Sequence, residues 1–391
     1  MKNYFTFDQK IVFSKAVYYD LNPVRGKRTW RDATGGFGDF VPLQGWIEVY
    51  DTEGACGRTF CSSGMLDNIL PLVMTGESRT YHEWYHYLYW KLRNFGFQSG
   101  QICDLGQFDR IMLEIMAERE QKPLHRFLGA EKDWAAIYKG GGSLLLTDAE
   151  LVDDMTRYVR EGNTTVKFKV GSDWGRDMDR DVERLRLVRE AVGPDIGIAV
   201  DGNQVWEVED ALRFADKIRK YEPEWFEEPI HSHDMNGIRA LRERVGMKLG
   251  FGESIRNAFA FETYVEKGVD HLMPLVGRVS AMGDLLKIRD LARSHGLMFS
   301  SGGTVWQNAS FGALYREDER LEHHEPMTQP MGECLSVKPE ERDGRLYLHP
   351  DLYGSPVRLD VEKLERNGTL DSIKIVHASQ NNKTFAVRAS Y

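Results

Sequence analysis

Cysteine is scarce in this chain of 391 residues, and the four present (Cys56, Cys61, Cys103 and Cys334) form no Cys-X-X-Cys pair. Cys56 and Cys61 stand close enough in sequence to bridge, but four scattered cysteines in a chain of this length read as free thiols in a reducing cytoplasm. Long apolar runs are missing too. None approaches the roughly 20 residues needed to span a bilayer, and the opening MKNYFTFDQKIVF has no apolar signal core. A cytoplasmic protein with no membrane partner is expected. Basic residues are outnumbered: 51 Lys and Arg against 60 Asp and Glu give a net charge of −9, and no basic run stands out. That balance argues against nucleic acid as a partner. What remains, 41% hydrophobic and 28% charged residues, is the make-up of an ordinary globular protein, long enough for two domains.

The two ends of the chain differ in texture. Residues 10–20 and 41–51 alternate like strands, and the Gly-rich TWRDATGGFGDF between them (29–40) reads as a loop. From about 78 to 129 the pattern is helical, with an aromatic cluster at 81–90 suited to a core or an interface. Strands followed by helices suggest an α+β domain. From Trp134 onward, strand and helix alternate. Candidate strands end near Lys139, Lys169, Asp201, Glu227, Glu253, Pro274, Ser301 and Glu322. Eight parallel strands are what a closed (β/α) barrel needs. Beyond about 335 the chain turns loop-like, then offers RLYLHP and a polar tail.

Three acids stand at an even interval of 26 residues: Asp201 in IAVDGN, Glu227 in WFEEP and Glu253 in GFGES. Each ends a short apolar run and precedes a helical one. A repeat of about that length suits one βαβ unit, so all three acids fall on the barrel face that carries active sites. Side by side they would repel unless a cation lay among them. Oxygen donors without thiolate or imidazole favour Mg2+ or Mn2+ over Zn2+. Lys167 and Lys169 in TVKFKVG sit two residues apart and so point the same way from their strand. The interior mouth suits them better than the helix layer. Two ammonium groups so close depress each other's pKa, which makes a neutral amine available as a base. Asn203 shares a side of its strand with Asp201.

Taken together, VKFKVG, VDGNQ, FEEP and GES make the chain similar to the mandelate racemase-like branch of the enolase superfamily, over nearly its whole length. The resemblance implies an α/β fold: a (β/α)7β TIM-like barrel (131–350) with an N-terminal α+β capping domain (1–130) and a C-terminal segment (351–391) returning to the cap. It implies one Mg2+ per subunit held by Asp201, Glu227 and Glu253, with Glu227 rather than Glu228 as the ligand within FEEP. It implies Lys169 as the base that removes a proton α to a carboxylate, Lys167 as a carboxylate donor, and Glu322 as an acid that meets that carboxylate. The superfamily pairs a Lys or His base with Mg2+ to stabilise an enediolate. Two departures matter. Leu275 stands where an Asp is expected and Gly302 where a His is expected, so the second acid/base dyad is absent in that alignment. Arg278 falls where the family often carries a cation. Nearby substitutes for the dyad are His231, His233, His323, His324, Tyr138 and Lys139. A single base favours removal of an α-proton followed by loss of a β-hydroxyl, hence dehydration of a sugar acid to a 2-keto-3-deoxy acid. Arg31 and Asp32, with the CSSG stretch at 61–64, would close over the barrel and read hydroxyls. A racemase, epimerase or cycloisomerase through the same enediolate, or an inactive metal-binding barrel, are the alternatives. A homo-oligomer is expected.

Overall fold

The computed structural model describes residues 4–379; residues 1–3 and the polar tail at 380–391 lie outside the described residues. The N-terminal part is built on an antiparallel sheet of Phe13–Leu21 (β1), Gly45–Asp51 (β4) and Cys56–Cys61 (β5). Between β1 and β4 runs a hairpin, Val24–Arg31 (β2) and Gly36–Val41 (β3). Two helices back the sheet, Tyr81–Leu92 (α1) and Gly100–Arg119 (α2). Thr80 starts α1 with a capping box: its side chain accepts from the Glu83 amide, and Glu83 accepts from the Thr80 amide at 2.7 Å. The aromatic cluster of this helix is largely core, with Trp84, Tyr87 and Leu88 buried.

The stretch expected as a loop at 29–40 is mostly strand. Asp32 explains this: its Oδ1 accepts from the amides of Thr34 (2.8 Å) and Gly35 (3.2 Å), closing a turn that lets β2 and β3 pair. The strand β5 was also not foreseen.

The barrel strands are Trp134–Gly141 (β6), Thr165–Lys169 (β7), Gly197–Asp201 (β8), Trp225–Glu227 (β9), Leu249–Phe251 (β10), His271–Leu272 (β11), Met298–Ser301 (β12) and Arg320–His324 (β13). All pair in parallel, and β13 closes on β6. Interior apolar runs such as Ile198–Val200 and Phe226 are fully buried, as strands covered on both sides must be. Helices between them form the outer layer; three end on left-handed glycines, Gly246, Gly268 and Gly296, which cap the last turn. The fifth strand stops at Phe251 rather than at Glu253, because Gly252 (φ +141°) turns the chain there. After the barrel, Arg345–Tyr347 pairs antiparallel with β6, and Leu370–His377 (β14) pairs with β1. The C-terminal segment thus reaches the cap sheet. No helix among the described residues is long and apolar enough to cross a membrane.

Cap and barrel meet across a polar seam. Asp109 on α2 is buried, accepting from Tyr81 Oη at 2.6 Å and from the barrel amide of Met282 at 2.7 Å. Burial pushes its carboxyl up to about 7, against the pull of those two hydrogen bonds. An unfolded Asp ionises near 3.9, so the native state holds this proton more tightly. The contribution of this group to stability is therefore full below about pH 4 and is lost as pH rises towards 7, with a slope of at most about 1.4 kcal/mol per pH unit. Asp109→Asn is expected to flatten that loss, read as the change in thermal midpoint between pH 5 and pH 7. Equal falls in variant and wild type would show that Asp109 titrates normally.

Candidate active site

Strand register builds the site. Asp201 lies opposite Lys169 on β7 and opposite Glu227 on β9, so a lysine and two carboxylic acids stand level at the C-terminal rim. Lys167 is one inward step below Lys169 on the same side. Its Nζ donates to Glu227 Oε1 at 2.5 Å and lies 3.3 Å from Asp201 Oδ2 and 2.8 Å from Glu322 Oε1. Lys169 Nζ donates to Asp201 Oδ2 at 2.5 Å. Trp225 Nε1 holds the other Glu227 oxygen at 3.0 Å. Glu228, the second acid of FEEP, is tied instead to Ser232 Oγ (2.6 Å) and Gln204 Nε2 (2.7 Å). Glu253 lies just past its strand, where it faces the cavity and has Arg278 Nη1 at 3.9 Å.

These charges settle one another. Burial alone would raise the Asp201 carboxyl, but Lys169 and Lys167 pull it below the ordinary carboxylate range. Burial likewise works against both ammonium groups. Asp201 outweighs it at Lys169, and Glu227 and Glu322 outweigh it at Lys167, so both lysines are held above the ordinary value. The mutual depression expected of the two lysines is present, with Lys167 lowering Lys169, but neighbouring carboxylates exceed it. Burial, then the Asp201 charge, raise Glu227. Among the described residues no group of three His, Cys, Asp or Glu side chains already converges as a metal cluster; Asp201 and Glu227 grip ammonium instead. The donor set, all oxygen and on three successive strands, nonetheless fits a hard divalent cation.

Above the rim lies a cavity of about 540 Å3. Lys167, Lys169, Asn203, Glu253, Arg278 and Glu322 line it from the barrel, so the structure brings these candidates together. Arg31 does not belong with them. Trp30 near the end of β2 and Asp32 just beyond it line the cavity, whereas the Arg31 guanidinium between them stacks on Trp174 at 4.9 Å. The CSSG stretch is absent from the lining too; Ser62 Oγ donates to Asp104 at 2.9 Å inside the cap. In its place the cap contributes Gln44 and Gln107. Gln107 lies on α2, where it accepts from Thr59 Oγ1 at 2.9 Å; a polar residue amid the apolar positions of that helix was the one available signal. Leu275 and Gly302 do pair as neighbours at the rim, and a Cβ on Gly302 would meet Leu275 Cδ1 at 2.8 Å. Leucine methyls thus fill the space beside the position of the missing dyad. Of the substitutes, Lys139 and His323 point outward to Glu341, Tyr138 lies deep inside the barrel against Trp225, and His231 and His233 lie outside the lining. His324 does line the cavity.

Residues 150–363, more than half of the chain, match the family model described as enolase C-terminal domain-like. The chain belongs to the enolase superfamily. Its match to an L-talarate/galactarate dehydratase of Salmonella typhimurium is 29% identical over 266 residues, spanning 68% of this chain and 65% of that one, just under two thirds of the relative's length. A 3,6-anhydro-alpha-L-galactonate cycloisomerase of Streptomyces coelicolor is 25% identical over 82% of this chain and 90% of its own. The solved structure of the Salmonella typhimurium dehydratase with Mg and L-lyxarohydroxamate superposes with a TM-score of 0.80 at 22% identity, covering 94% of this chain and 95% of that one. This last likeness shows the enolase-superfamily fold, barrel and cap alike.

Asn203 carries a backbone feature that can be separated from its side chain. It sits at φ +43°, its amide donates to Asp201 Oδ1 at 3.0 Å, and its own Oδ1 is buried without a protein partner. Left-handed backbone costs a residue with Cβ about 1–2 kcal/mol. Asn203→Gly is therefore expected to keep the wild-type denaturation midpoint, whereas Asn203→Ala should lower stability by about 1 kcal/mol. Equal stability of the two variants would remove the backbone argument.

Proposed function

We propose that the protein is a Mg2+-dependent lyase: it removes the proton α to the carboxylate of a sugar acid and expels a β-hydroxyl, giving a 2-keto-3-deoxy acid. The observation that carries this reading is a pair of buried lysines among carboxylates, with Lys169 level with Asp201 and Glu227 and with Glu253 just past the next strand, beside a polar cavity. Asp201, Glu227 and Glu253 would hold the ion, which when bound stabilises the negative charge that builds on the substrate's carboxylate oxygens. Lys169, as the amine, takes the α-proton on Nζ. The ammonium of Lys167 pulls the pKa of Lys169 down, against Asp201, which holds it up. Lys167 donates to the substrate carboxylate, with Glu322 holding it in place at 2.8 Å. Arg278 and Asn203 face the same volume and would bind oxygens along the chain of the acid. Asp32, Thr34, Gln44 and Gln107, from the cap, give that volume the donors and acceptors that hydroxyls need. A dehydratase among the relatives supports the reading. The cycloisomerase relative, matched over more of its length, supports a second one: the same enediolate, closing or opening a ring without net dehydration.

Proton NMR in D2O, with Mg2+ and a panel of aldonic, uronic and aldaric acids, separates these. Loss of the α-proton signal with new 3-deoxy methylene signals is expected for one acid of the panel. Exchange without dehydration would move the assignment to the second reading, and no exchange with any acid would defeat both. Lys169→Ala should lower exchange and turnover by at least about a hundredfold with an unchanged circular dichroism spectrum; a fully active variant would show that another group is the base. Glu253→Gln should weaken Mg2+ binding in a calorimetric titration, and an unaltered isotherm would remove Glu253 from the ligand set.

A further inference from the structure

Elimination of a hydroxyl needs two proton transfers, one from carbon and one to the departing oxygen, and the lysine pair accounts for the first. Among the described residues lining the cavity, His324 is the one imidazole. It stands two residues beyond Glu322 on β13 and so on the same side of that strand. In register it lies level with Gly140, which in turn lies level with Lys167. Gly140 has no side chain to place between them; a Cβ there would strike Glu322 Oε1 at 2.5 Å. The space over Gly140 is taken by the Glu322 carboxylate, which also meets Lys167 at 2.8 Å, so the imidazole stands next to Glu322 at the rim with the lysine beyond it. Trp30, from the cap hairpin, packs edge-on against the ring at 4.5 Å and 87°, which fixes its plane. Nδ1 of His324 is buried and has no hydrogen-bond partner within the protein. Buried polar atoms are nearly always partnered, so this nitrogen is one that a substrate oxygen would satisfy.

We propose that His324 is the acid that protonates the leaving hydroxyl, in place of the dyad that Leu275 and Gly302 displace. The proposal rests on the dehydratase reading above. Lys169 takes the α-proton, and the C–H electron pair becomes the enediolate. That pair then forms the C2–C3 double bond as the C3–O bond breaks. The imidazolium proton of His324 passes to the departing oxygen, which leaves as water, and the enol tautomerises to the 2-keto-3-deoxy acid. Ammonium and imidazole exchange protons with solvent to reset. Burial, then the ammonium groups of Lys169 and Lys167, keep the free ring neutral, while Asp201 and Asp32 oppose them. A bound carboxylate adds negative charge on that side and favours the imidazolium.

The test uses the panel acid that the wild-type enzyme dehydrates, together with its 3-deoxy-3-fluoro analogue, because fluoride departs without a proton. His324→Asn and His324→Gln are expected to exchange the α-proton in D2O within a few-fold of wild type. They should lose dehydration by about a hundredfold or more, and expel fluoride at close to the wild-type rate. Retained exchange and fluoride release also show that the variants fold. Unchanged dehydration in both variants would overturn the role of His324 alone. So would equal loss of exchange, dehydration and fluoride release. A wild-type enzyme that exchanges no α-proton with any acid would defeat the lysine reading first, and this proposal with it.

Discussion

Everything at the barrel mouth follows from one electrostatic constraint: several carboxylates cannot share a buried rim without cations among them. Two like charges 4 Å apart repel by about 4 kcal/mol at an effective dielectric of 20, and Asp201 and Glu227 stand level on adjacent strands. Lys167 answers both of them and Glu322 as well, while Lys169 answers Asp201. The arrangement is poised rather than idle. On the proposed reading, Lys167 as ammonium would serve a substrate carboxylate, Lys169 would take the α-proton only as the free amine, and the acids would hold a divalent ion. Removing one partner from such a set leaves its counterpart buried and uncompensated, which costs about 3–5 kcal/mol. A stable protein that needed only a core would be as well served by apolar residues here.

The barrel and its charged rim were legible in the sequence because parallel strands expose their ends at a fixed interval. The 26-residue spacing of Asp201, Glu227 and Glu253 and the period of two between Lys167 and Lys169 are both geometric consequences of the fold. Boundaries were less legible. Glu253 stands beyond its strand because Gly252 turns the backbone, a matter of one dihedral angle. The hairpin at Val24–Val41 was hidden by its glycines, since an Asx turn at Asp32 does what composition alone would assign to a loop. The same hairpin shows why Arg31 misled. Its charge suits a ligand contact, yet Trp30 before it and Asp32 after it line the cavity while Arg31 stacks on Trp174. Gln107 was hidden for a different reason: it reaches the cavity from a cap helix, and a polar residue amid apolar positions does not say which partner it meets across a domain seam.

The cavity belongs to both parts of the chain. Its floor is the lysine and carboxylate rim, and its roof is the hairpin and α2. The roof supplies amide, hydroxyl and carboxyl groups but no lysine. The lysines and arginine of the lining thus come from the barrel alone, while the hairpin and α2 add Asp32, Thr34 and Gln107. A change in the hairpin can reshape the cavity without touching the lysine pair.

Leu275 and Gly302 have a consequence for how this site could be diversified. A side chain introduced at 302 meets Leu275 Cδ1 at 2.8 Å and Glu322 Oε2 at 3.3 Å. Both atoms are the ends of flexible side chains, and Gly302 has no backbone atom among these close neighbours. A residue gained at 302 would therefore be admitted only as Leu275 and Glu322 turn aside. Because Glu322 also meets Lys167 at 2.8 Å, any change at 302 is felt at the lysine: bulk there and the placing of the ammonium are set together.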